Sequence, residues 1–140
     1  MTFPRDFEYV FQKPGMFFSP VEFDIAVAFI QGFDLANCGG VLVGFREWLV
    51  IRNGCGNNLA WPELALRLAF PDAESPRQQL VQSSNQKRAV ELLFGLLGEF
   101  WRERETPQGL RRIYLSYEGW LQSQDWYNSS SSDYIAAKSS

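Results

Sequence analysis

Histidine is absent from this chain, so the side chains able to do chemistry are its carboxylates and two thiols, Cys38 and Cys55. Without an imidazole no Ser-His-Asp or Cys-His pair can form, nor any His-bearing zinc site. Two cysteines cannot complete a structural zinc tetrahedron without carboxylate help. Cys55 stands between two glycines in "NGCGNN", with no neighbouring cation or base in the sequence to activate it. A helix-connecting loop is the better reading of that stretch, and "NCGG" around Cys38 reads as a helix C-terminus. In a reducing compartment both thiols are expected to be free.

Three carboxylate pairs remain as catalytic candidates. Asp72 and Glu74 share a loop, Glu99 and Glu103 sit four apart on a helix, and Glu118 and Asp125 lie near the end. An acid-base pair needs one member raised in pKa by burial while the other stays charged. Nothing in the sequence marks a pair that way, and Glu99, Arg102 and Glu103 read as a solvated helix face. No catalytic, cofactor-binding or metal-binding residue is therefore assigned, and the chain is expected not to be an enzyme.

Glycine-rich phosphate loops are also missing. "KPGMFFSP" has one glycine and two prolines, and proline lacks the amide hydrogen that a phosphate cradle uses. It reads as a turn, with Pro14 and Gly15 at the central positions of type II geometry. A helix entry follows, with Ser19 as N-cap, Pro20 at the first helical position and Glu22 closing a capping box.

The elements that must position these groups are helical. Phe7, Val10 and Phe11 fit a short helical turn. Val21, Ile25, Phe29 and Phe33 recur every four residues, with Ala26, Ile30 and Ala36 beside them. Leu42, Phe45, Trp48 and Leu49 predict a helix ending at Asn53-Gly54, although the β-branched residues of 41–51 leave a strand as the rival. "AWPELALRLAF" predicts another helix, stopped by Pro71. The clearest runs from about Ser84 to Glu105, where Ala89, Leu92, Leu93, Leu96, Leu97 and Phe100 form a stripe that Val90, Phe94 and Trp101 widen. Gly95 and Gly98 interrupt it and suggest the close approach of another helix. Leu110, Ile113, Tyr117 and Trp120 or Leu121 share a last helical face, with a strand over 112–117 as the alternative.

The sum is a mainly all-α fold: one compact domain over 1–127 of four to five packed helices, with room for a small strand pair. A polar, mobile tail is expected over 128–140. At 140 residues, 46% hydrophobic and 16% aromatic, the chain can build a core. Its net charge of −3, without a basic cluster, argues against nucleic acid as partner. No signal peptide and no membrane span are read from the sequence, so cytoplasm is the expected compartment. Trp48, Trp61, Trp101 and Trp120 fall on or near apolar stripes. Trp126 and Tyr127 lie in polar company, where they either pack back on the domain or stand out as anchors for a partner.

The ordered set "KPGMFF", "AFIQGF", "FREWL", "LAWPEL" and "LLFGLLGEF" resembles a family of small bacterial immunity proteins of polymorphic or contact-dependent toxin systems. Members begin with a Lys/Arg-Pro-Gly-Met-Tyr/Phe turn and carry a Gly-Tyr/Phe pair at the end of the next helix. The resemblance covers about Gln12 to Glu105, and the chain departs from it in Phe17, where tyrosine is favoured, and in the long connection "PDAESPRQQLVQSSNQ". It implies an antitoxin, monomer or homodimer, that binds one cognate toxin domain, such as a nuclease, and blocks it. The signature positions Pro14, Gly15, Met16, Gly32 and Phe33 read as structural. Partner contact is expected instead at Asp72, Glu74, Glu118, Asp125, Trp126 and Tyr127, with acidic groups steering a basic toxin. The alternatives are a small-metabolite enzyme using carboxylates or Cys55, and a self-associating adaptor.

Overall fold

The computed structural model describes residues 5–127, and the expected tail over 128–140 lies outside the described residues. Six α-helices follow one another: α1 (Arg5–Gln12), α2 (Phe23–Ala36), α3 (Phe45–Asn53), α4 (Trp61–Ala69), α5 (Ser83–Arg104) and α6 (Gly109–Gln122). Short 3-10 turns at Pro14–Met16 and Pro76–Val81 join α1 to α2 and α4 to α5. No strand occurs among the described residues, so the small strand pair is absent there and the fold is all-α.

Both ambiguous segments are helical because packing, not β-propensity, decides them. Phe45, Trp48, Leu49 and Val50 are buried on α3, which lies against both α4 and α6. Ile113, Tyr117 and Leu121 recur on the buried face of α6. The β-branched Val41 and Val43 fall before α3, which begins only after Gly44 at φ +88°. A Cβ on Gly44 would come within 2.7 Å of Leu110 Cδ1, which would have to shift, and the positive φ itself favours glycine there.

α5 is the centre of the molecule. It contacts α2, α3, α4 and α6 and buries Ala89, Val90, Leu93, Phe94, Leu96, Leu97, Phe100 and Trp101. That arc is wider than the single stripe of a surface helix, so neighbours must cover it from several sides.

The start of α2 departs from the sequence reading. Ser19 does not cap it and no capping box forms: the Ser19–Pro20 peptide is cis, and the helix begins at Phe23 with Glu22 at the N-cap. Its first amide is satisfied from elsewhere, since Phe23 N–H donates to Gln86 Oε1 of α5 at 2.8 Å. Gln86 Nε2 in turn donates to Leu80 O. A tertiary partner has replaced the local cap. The buried face of α2 is accordingly Phe23, Ala26, Val27 and Ile30, whereas Ile25 and Ala36 are exposed. Phe29 and Phe33 are half-buried and meet Phe7 of α1. The Lys13–Met16 segment is a turn, as expected, but a 3-10 one in which Gly15 has no positive φ, so it is not type II.

Two side chains fix the link between α2 and α3. Asp34 Oδ1 accepts from the amides of Val41 and Leu42 at 3.0 and 2.9 Å. Arg104 donates to the carbonyls of Gly40, Val41 and Val43, with its guanidinium 3.8 Å over the Trp101 ring. The loop thus has both its amides and its carbonyls paired.

The turn from α5 to α6 has no room for a side chain at Gly109, where a Cβ would lie 2.2 Å from Glu103 O and 2.6 Å from Arg104 O. Gly109→Ala is expected to destabilise the protein by about 2–4 kcal/mol, because backbone must move to admit the methyl group. Arg77→Ala breaks only an exposed bridge to Glu63 and Asp24 and is expected to cost at most about 1 kcal/mol. Urea unfolding of the two variants measures the contrast.

Candidate functional site

An open groove of about 790 Å³ runs between α1 and α5. Phe11, Gln12 and Pro14 form one side, and Val21 lies beside them. Val90, Phe94, Gly95 and Gly98 of α5 form the other, with Lys87, Glu91 and Arg102 also at its edge. Phe11 and Phe94 touch with ring centroids 4.8 Å apart. The sequence reading of a close helix approach fits Gly98, which Phe11 of α1 overlies, but not Gly95, which no other element among the described residues approaches. A Cβ on Gly95 would meet nothing within 4 Å, and one on Gly98 would meet only the Phe11 ring and Arg102 at 3.9 and 4.0 Å. They leave the groove floor bare.

A second cluster joins α3 to α5. Arg52 lies 4.1 Å over the Trp48 ring and pairs with Glu99 at 2.6 Å, while Trp48 Nε1 donates to Glu103 Oε2 at 2.6 Å. Glu99 and Glu103 are therefore not merely a solvated face; they clamp α3 to α5. Trp48 and Arg52, with Ile51 and Ile113, surround only about 160 Å³.

Cys38 and Cys55 are both free and exposed. Cys55 does have a neighbouring cation, which its sequence context hid: Arg67 Nη1 lies 3.6 Å from its sulfur. Arg67 is twelve positions away on α4, so only the packing of α4 beside the Gly54–Gly56 loop brings it there. Both line a depression of about 540 Å³ with Arg52 and Glu74.

The six expected partner residues fall on two stretches of chain. Asp72 lines a separate depression with Phe70 and Arg88, close in sequence to Glu74. Glu118 accepts a 3.5 Å bond from Gln122 on α6. Beyond it, Trp126 packs edge-on against Trp120 at 6.3 Å and against Tyr127 at 6.2 Å. Tyr127 is half-buried, while Trp126 stays 47% exposed and Asp125 exposed. Tyr117 stacks on Trp120, so four aromatics run in series to the end of α6. The aromatic pair packs back on the domain, and Trp126 still presents a ring to solvent.

The groove itself was missed by sequence reasoning. Val90 and Phe94 read as core, which they are, but nothing in a helical stripe tells which side its neighbours leave uncovered. The one usable signal was the pair of glycines three apart. Comparison with known protein families, with curated proteins and with solved structures finds no match. No helix among the described residues is long and apolar enough to cross a membrane, and no group of three or more metal-ligating side chains occurs among them.

Electrostatics are perturbed at the seam holding the 40–43 loop. Burial lowers the Arg104 pKa, with the acids Glu105 and Asp34 opposing. Burial, then the charge of Glu47, raises the Tyr114 phenol above its ordinary value, against the Gly44 backbone hydrogen bond and Arg104. The fold therefore favours neutral Tyr114. That contribution to stability is full below pH about 10 and is lost as pH rises through the folded value. An alkaline absorbance titration is expected to show the Tyr114 phenol ionising above its ordinary value, as the component that Tyr114→Phe removes.

Proposed function

We propose that the protein is an immunity protein, a cytoplasmic antitoxin that binds one cognate toxin domain and occludes it, working by binding and not by catalysis. The ordered motif set from Gln12 to Glu105 supports the reading at the level of sequence. The observation that carries it in three dimensions is Trp126: a large ring, 47% exposed, held by Trp120 and Tyr127 and flanked by Asp125. A supported aromatic loses little entropy on docking, which is why Trp and Tyr dominate binding energy at interfaces. Asp125 beside it in the chain, Glu118 on α6, and Asp72 and Glu74 on the other stretch supply acidic charge to steer a basic toxin such as a nuclease.

A small-metabolite enzyme is the second reading, favoured by the proximity of Arg67 to the exposed Cys55. Cation and thiol are one part of what nucleophilic catalysis needs; a base and an oxyanion site are the others.

The decisive experiment is co-expression with a toxin domain encoded beside the gene. Growth is expected only when this protein is present, and Trp126→Ala is expected to weaken the purified complex by at least about 2 kcal/mol, roughly thirtyfold. A toxin that kills equally with and without the protein removes the proposal.

A further inference from the structure

We propose that the groove between α1 and α5 is the docking site for one amphipathic helix of a partner protein, with its apolar stripe on the half-buried Phe11, Pro14 and Val21, one side chain over Gly95, and a carboxylate at one end reaching Arg102. This does not rest on the toxin reading, since it uses none of the six positions considered there.

Shape is the first argument. The groove follows α5 from Lys87 to Arg102, about 22 Å at the rise of an α-helix, and has a volume of about 790 Å³. A single acyl chain would leave much of that space empty. An extended peptide would lay unpaired backbone amides on an apolar floor, and no strand edge among the described residues is available to pair them. A helix satisfies its own backbone and needs only side-chain packing.

The second argument is the notch. Gly95 and Gly98 each cost α5 about 1 kcal/mol relative to alanine. No element of this chain among the described residues uses the space above Gly95. A bulky side chain on an incoming helix would fit there, as ridges fit grooves wherever helices pack.

Charge selects the partner. Lys87 Nζ and Glu91 Oε1 stand 4.0 Å apart and offset one another at one end. Arg102, three turns beyond Glu91, has no carboxylate within ion-pair reach among the described residues. The groove is therefore neutral at one end and cationic at the other. The complementary occupant is a helix whose flank carries Asp or Glu in one terminal turn. The Lys13–Met16 turn gains a role here, because Pro14 forms part of the wall and the turn holds Phe11 over Gly98.

The test uses the full chain and a phage-displayed library of helical peptides about 16 residues long, with leucine fixed at helical spacing and all other positions varied. Enrichment of peptides with Asp or Glu in one terminal turn is expected. Their affinity should fall at least about tenfold on Gly95→Leu, which fills the notch, and on Arg102→Glu, with lysine in place of the peptide acid restoring binding to Arg102→Glu. Thermal melts check that both variants fold. If Gly95→Leu fails to fold, the charge swap alone decides. The proposal is overturned if no peptide enriches, if the enriched peptides ignore Arg102→Glu, or if micromolar dodecanoate displaces them, which would assign the groove to an acyl chain.

Discussion

α5 carries more apolar surface than one neighbour can cover, and that constraint organises the rest of the chain. Its buried residues from Ala89 to Trp101 occupy several sides of the helix. Each side exposed to water would forfeit roughly 25 cal/mol per Å² of apolar area. Helices α2, α3, α4 and α6 therefore gather round it, and α1 covers part of what remains through Phe7 and Phe11 against Phe94. The groove is where this wrapping stops, at the glycines where α5 has no side chain to bury.

Polar contacts refine that arrangement more than they create it. Gln86 caps α2 from α5, Arg104 and Asp34 pin the loop before α3, and Glu99 and Glu103 clamp α3 through Arg52 and Trp48. All but the Asp34 bonds reach from α5 to another element. The helix that supplies the hydrophobic centre is also the one from which register is set. Hydrogen bonds of this kind are worth about 1 kcal/mol each in net terms but cost more when one partner is left buried alone, so they select among packings that burial alone would tolerate.

Three surfaces follow from this frame, with different chemistry. The groove is apolar with a cation at one end. The end of α6 presents aromatic rings beside carboxylates. The Cys55 depression sets a thiol beside Arg67.

The sequence by itself determined the helical class, the long central helix and the identity of most core residues, because a 3.6-residue apolar period is a local property that burial must respect. It also located the breaks at Gly54, Pro71 and Thr106-Pro107. It could not determine where α2 begins, because Gln86 supplies the cap from 63 positions away. Nor could it see Arg67 beside Cys55, the engagement of Glu99 and Glu103, or the uncovered side of α5. These depend on which helix lies against which. Helical periodicity specifies that a face must be covered but not by what, and only the tertiary structure decides which part of α5 is left uncovered.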